Sequence, residues 1–137
     1  FPKWNNAIPL FLLILSTLVG CKKITGGYYC IKNDTQYEIK IEHIGAYVQE
    51  KEFRIAPSQV YKAFWGDPKF ETFPSEVDTF YLFIDNKTYM DVFDLKTSLT
   101  RMENYVYDKT EKKVNSEISY DIFTIDENYI NSLIKIE

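Results

Sequence analysis

From residue 28 onward the chain reads as short runs of strand-forming residues divided by turn chemistry. Residues 28–32 form the first run and Asn33-Asp34 closes it. Within 36–44, Tyr37, Ile39 and Ile41 alternate with Glu38, Lys40 and Glu42, the period of two that marks a half-buried antiparallel strand. A run over 47–55 ends at Ala56-Pro57-Ser58, and one over 60–65 ends at Gly66-Asp67-Pro68. Residues 79–84 are apolar on both faces and predict a central strand. Asp85-Asn86-Lys87 then supplies a tight turn into a second strand over 88–93, a hairpin. Residues 105–107 and 118–125 flank the polar stretch 108–117, which reads as a long exposed turn.

Helical spacing occurs twice. Over 94–104, Leu95, Leu99 and Met102 recur on one face behind Asp94 as a cap. Thr124-Ile125-Asp126-Glu127 has the form of a capping box, with Tyr129, Leu133 and Ile136 on the following face and Ile130 and Ile134 beside them. The expected fold is therefore all-β, an antiparallel two-sheet sandwich with one or two short helices, including a short C-terminal helix. A small open barrel is the rival arrangement.

The beginning of the chain follows a different rule. Lys3 is the one charge before residues 7–19, thirteen largely apolar positions. A membrane-spanning helix needs about 20 such residues, whereas a shorter run suits the core of a secretion signal. Leu18-Val19-Gly20-Cys21 closes it. This tetrapeptide resembles the lipobox of bacterial lipoproteins. The resemblance implies a diacylglyceryl group on the Cys21 sulfur, cleavage before Cys21 and acylation of the new amine, with palmitate as a typical chain. Ordinary signal cleavage fits less well, since Leu18 is large for its −3 position; an uncleaved anchor is the remaining alternative. One acyl chain holds a protein only reversibly, and two or more hold it stably. The division expected is a signal over 1–20, a lipidated Cys21 and tether over 21–27, and one β-rich domain over 28–137.

The chain also looks like the small envelope lipoproteins of Bacteroidota. That likeness rests on Cys21-Lys22-Lys23, an early Ile31, Asn33, Thr35 segment, and a late Phe123-Thr124 followed by Glu127 and Tyr129. It carries over no catalytic residues, because such families are mostly binding modules. No acidic residue follows Cys21 closely, and position 22 is Lys, not the Asp that retains enterobacterial lipoproteins in the inner membrane. The expected address is the outer membrane, with the domain facing the periplasm.

Composition narrows the chemistry. The net charge is −4 and the charges alternate in sign, so there is no basic face to neutralise phosphates, and nucleic acid is not an expected partner. With Cys21 lipidated, Cys30 is left single, and its neighbours Tyr28, Tyr29 and Ile31 suggest a buried strand thiol. His43 is the one histidine, in phase with the apolar face of its strand, and reads as a residue at the core rim and not a catalytic one. Ser132 and Lys135 match an S-x-x-K pattern that the chain end leaves without partner motifs. Asp85, Asp91 and Asp94 read as exposed turn carboxylates, with neither glycosidase nor calcium-loop spacing. No catalytic residue, metal site or cofactor is expected.

Aromatics make up 17% of the chain and concentrate at Tyr61, Phe64, Trp65, Phe70 and Phe73, between Pro57 and Pro74. Such a group either covers the core as a lid or offers faces to a glycan or peptide. The leading expectation is a lipid-anchored, non-enzymatic interaction or structural module of the bacterial envelope with a protein or glycan partner. A glycan- or peptide-binding lipoprotein using the aromatic segment is second, and a small hydrolase third.

Overall fold

A computed structural model describes residues 24–44, 52–66, 79–92 and 94–136. Residues 1–23, with the expected signal and Cys21, residues 45–51, Phe70 and Phe73 lie outside the described residues. The described residues form nine strands: β1 (Ile24–Asn33), β2 (Ile39–Ile44), β3 (Glu52–Ile55), β4 (Val60–Gly66), β5 (Thr79–Ile84), β6 (Lys87–Val92), β7 (Val106–Lys113), β8 (Ser116–Ile125) and β9 (Ile134–Lys135). One short helix, α1 (Glu127–Ser132), precedes β9. Two sheets result, ordered β4-β1-β8-β7 and β3-β2-β5-β6-β9. This is the expected all-β two-sheet sandwich with a short C-terminal helix.

Among the described residues all strand pairs are antiparallel but one. β1 and β8 run parallel through ten residue pairs, from Ile24 beside Ser116 to Asn33 beside Ile125. The inner faces meet in a single core. Ile31, Phe64, Phe123 and Ile125 come from the four-stranded sheet, and Ile39, Ile41, Phe53, Ile55, Phe80, Leu82 and Ile84 from the five-stranded one. The alternation in β2 sends Ile39, Ile41 and His43 inward and Lys40 outward, over the Phe83 ring at 4.2 Å. β5 is central in its sheet. Its hairpin to β6 turns on Asp85 (φ 50°) and Asn86 (φ 59°), both left-handed, as a two-residue type I′ turn requires. Asn33, at the end of β1, is fully buried and satisfied. Its amide donates to the Tyr37 and Ile55 carbonyls at 2.7 and 3.0 Å, and its carbonyl accepts from the Thr35 backbone and hydroxyl.

Four expectations are corrected. β1 begins at Ile24, so residues 24–27 are strand and not tether. The polar stretch 108–117 is not a long turn: most of it is β7 and the start of β8, joined tightly at Val114-Asn115. No residue of β7 is buried, so its two faces are alike in polarity and alternation is lost.

Residues 94–104 form successive turns and a single 3₁₀ turn at Met102–Asn104, not a helix. Their backbone bonds close over three residues, as in Ser98 to Leu95 and Arg101 to Ser98, while the Leu99 and Thr100 amides turn to the side chains of Asp91 and Ser98. Short polar side chains compete with helical bonding in this way. Leu99 enters the core, whereas Met102 is exposed. At the C-terminus the cap is Asp126, which accepts from the Tyr129 amide at 2.8 Å. Thr124 remains in β8. The helix stops at Ser132, and Ile134 and Lys135 pair with Met90 and Tyr89 as an edge strand, so Ile136 and Leu133 share no helical face.

Candidate interaction surface

A bulge in β4 decides which aromatic goes where. Tyr29 pairs with Phe64 and Cys30 with Lys62, so Ala63 is the extra residue. An inserted residue shifts every following side chain to the other face. Tyr61 and Ala63 face the core before the shift, and Phe64 faces it after. Trp65 is thereby turned to the outer face of the four-stranded sheet, where it stays 39% exposed. The aromatic group thus divides. Tyr61 stacks on Phe53 with centroids 4.7 Å apart, and Phe64 meets Phe80 edge-on at 6.0 Å. Only Trp65, among the described members, is presented outward.

Pairing register then builds a row across three strands. Trp65 in β4, Tyr28 in β1 and Tyr120 in β8 are lateral neighbours, and Lys109 in β7 follows. The Trp65 and Tyr28 rings meet edge to face at 4.8 Å, and Tyr28 and Tyr120 stack at 5.8 Å. Lys62 Nζ lies 5.0 Å from the Tyr28 centroid and 5.4 Å from that of Tyr120, and Lys109 Nζ lies 5.3 Å from Tyr120. Each edge-to-face ring pair contributes about 0.5–1.5 kcal/mol, and each exposed cation–π contact about 0.5–1 kcal/mol, so the row is held in one arrangement before any partner arrives. The Tyr120 hydroxyl donates to Glu111 at 3.2 Å, and this bond, with Lys109 beside it, holds the Glu111 carboxyl below its ordinary pKa.

Gly26 completes the row. A Cβ there would fall 2.4 Å from Trp65 Cζ2, so the indole lies directly on the strand backbone only because position 26 has no side chain. Cys30 sits on the same face but is 2% exposed, and burial pushes its thiol pKa up. It is a poor nucleophile there. Ile24, Val60 and Val106 add exposed apolar area elsewhere on the same face.

No known protein family, curated relative or solved structure matches this chain.

The buried titratable groups elsewhere pack and bond within the fold. His43 is buried between Phe53 and Phe80, with ring centroids at 6.4 and 5.9 Å. Asp91 is fully buried, which corrects its reading as an exposed turn carboxylate. It lies opposite Phe80 on the inner face of β6 and accepts from the Leu99 amide at 2.8 Å and the Tyr129 hydroxyl at 2.5 Å. Burial raises its pKa, against the lowering effect of hydrogen bonds from Ser98, Tyr129 and Leu99. Tyr105 and Tyr129 are likewise pushed well up by burial first and by Asp91 second. Ser132 donates to the Tyr129 carbonyl and contacts the Thr97 hydroxyl, so it works as a helix-end tie, with Lys135 exposed in β9. Among the described residues no cluster of His, Cys, Asp or Glu could hold a metal, and no helix is long and apolar enough to cross a membrane.

Sequence reasoning named Trp65 but missed Tyr28, Tyr120, Lys62 and Lys109. The available signal was β1 itself. Its Tyr28 and Cys30 are as apolar as the intervening Tyr29 and Ile31, and a strand with two apolar faces in a sandwich has something to cover on its outer side.

Proposed function

We propose that the chain is a lipid-anchored lipoprotein of the bacterial envelope, held through Cys21 at the outer membrane and facing the periplasm. It acts as a non-enzymatic interaction module. The exposed Trp65, braced by half-buried Tyr28 and buried Tyr120 with Lys62 and Lys109 over the rings, carries this reading, because an indole held in place on a sheet face suits contact with a partner. The buried carboxylate and histidine are committed to packing and hydrogen bonding inside the fold, which favours binding over turnover.

The test has two parts. Metabolic labelling with a palmitate analogue marks the wild type and not Cys21→Ser; label that survives the substitution overturns the anchor. A photo-crosslinking residue placed at Lys62 or Val106 in cells then gives discrete adducts that weaken in a Trp65→Ala background. The same residue at Lys40, on the outer face of the other sheet, gives none. Equal crosslinking from both faces overturns the choice of surface.

A glycan partner is the second reading, favoured by the exposed indole, since ring faces pack on sugar rings. Saturable change in Trp65 emission on titration with soluble cell-wall oligosaccharides supports it.

A further inference from the structure

The tip of the β7–β8 hairpin lies beside the start of β1. The Ile24 amide donates to the Asn115 carbonyl at 2.8 Å, and Ile24 pairs with Ser116. Cys21 is three residues upstream of Ile24, and three residues of fully extended chain span at most about 11 Å. Any lipid on Cys21 therefore brings this tip to the bilayer surface. The tip is built for such a place. Val114 is 90% exposed and Ile24 60% exposed, two apolar side chains offered to solvent. Lys112 and Lys113 precede Val114, and Lys22 and Lys23 stand between the anchor and β1. The nearby acids are Glu111, held by Tyr120 and Lys109, and Glu117, 4.0 Å from Lys112. In a protein of net charge −4, this end is locally cationic.

We propose that the hairpin tip, Val114 with Lys112 and Lys113, is a second and reversible membrane contact that docks on anionic phospholipid and stands the domain on the bilayer. The inference rests on lipidation of Cys21. Anionic headgroups attract the lysines, and Val114 and Ile24 settle at the headgroup boundary. A single lysine near an anionic leaflet is worth about fivefold in contact equilibrium, and salt screens it beyond about 8 Å at physiological strength. The ten residues of β1 rise about 30 Å from this end. At the far end, Asn33 bonds to the Ile55 carbonyl, on the rung shared by Ile39, Ile84 and Lys87. The row of rings lies level with Tyr28, four residues along β1 from Ile24, and so crosses the side of the domain about 13 Å above this end.

The test uses the full lipidated protein reconstituted in vesicles. Val114→Cys offers the one accessible thiol among the described residues, because Cys30 is buried, and Cys21 is blocked by its lipid. An environment-sensitive fluorophore on it brightens and shifts to the blue in phosphatidylcholine vesicles containing phosphatidylglycerol. It responds little in phosphatidylcholine alone, and the anionic response falls in high salt. A label at Lys87→Cys does not respond. Adding Lys112→Glu and Lys113→Glu, both at exposed positions, lowers the contact equilibrium constant by at least about tenfold. Equal response at Val114 and Lys87, or none at Val114 in protein shown to carry lipid, overturns the docking while the anchor stands. Protein that takes up no acyl label overturns the anchor itself.

Discussion

Tyr129→Phe removes one oxygen atom and isolates the role of the buried carboxylate. Asp91 is 0% exposed, and its Oδ2 accepts from the Leu99 amide and the Tyr129 hydroxyl. The phenylalanine ring keeps the edge-to-face contact with Phe123 at 4.8 Å, so packing is preserved and only the hydrogen bond is lost. A hydrogen bond to a charged buried group is worth about 1.5–3 kcal/mol. The expected cost is about 2 kcal/mol near neutral pH, a fall of roughly 10 °C in midpoint for a domain of this size. The pH dependence carries its own sign. Burial raises the pKa of Asp91 in the folded state, so the folded protein holds that proton more tightly than the unfolded chain. The contribution is fully present below the ordinary carboxylate pKa and is lost as pH rises through the raised value. Without the tyrosine hydroxyl the raised value climbs further, and the variant loses more stability at neutral than at acidic pH. Urea unfolding followed by circular dichroism at both pH values measures this. A loss below about 0.5 kcal/mol at neutral pH, or one that does not change with pH, refutes the hydrogen-bonded carboxylate as a keystone.

Phe64→Ala costs about 3–5 kcal/mol by thermal or urea unfolding, whereas Trp65→Ala, on the other side of the bulge, costs about 1 kcal/mol; equal costs refute the assigned phase. Gly26→Ala pushes the indole off the strand, and the emission of Trp65, the one tryptophan of the chain after Cys21, moves to longer wavelength with more acrylamide quenching. Asn33→Ala breaks the side-chain bonds to the Tyr37 and Ile55 carbonyls and lowers stability by about 3 kcal/mol. Cys30 reacts with a maleimide in the native state much more slowly than in urea, and mass spectrometry reads the difference.

Much of the five-stranded sheet was legible because its strands obey local rules. β2 alternates, β5 is apolar throughout, and Asp85-Asn86 is a turn that its residues specify. The four-stranded sheet was harder. Its defining pair, β1 with β8, joins segments at opposite ends of the chain, and no periodicity announces a partner so distant. β7 has solvent on both faces and so reads as a loop. Asp91 looked like a turn residue because aspartates generally are; its burial depends on Leu99 and Tyr129 arriving from two later segments. The candidate surface was half legible for the same reason. Trp65 stood out by its chemistry, but its neighbours come from three strands, and its outward direction follows from one inserted alanine.

The parallel pairing of β1 and β8 also decides how the domain bears tension. A pull on the residues before Ile24 acts at the lower end of β1, and a pull from beyond α1 reaches β8 at its upper end, at Ile125. The two strands are then drawn past one another along their length. All rungs of the ladder resist together, whereas a hairpin pulled from its open end yields one rung at a time. A load applied between the residues before Ile24 and those beyond Ile125 is therefore carried by this ladder as a whole.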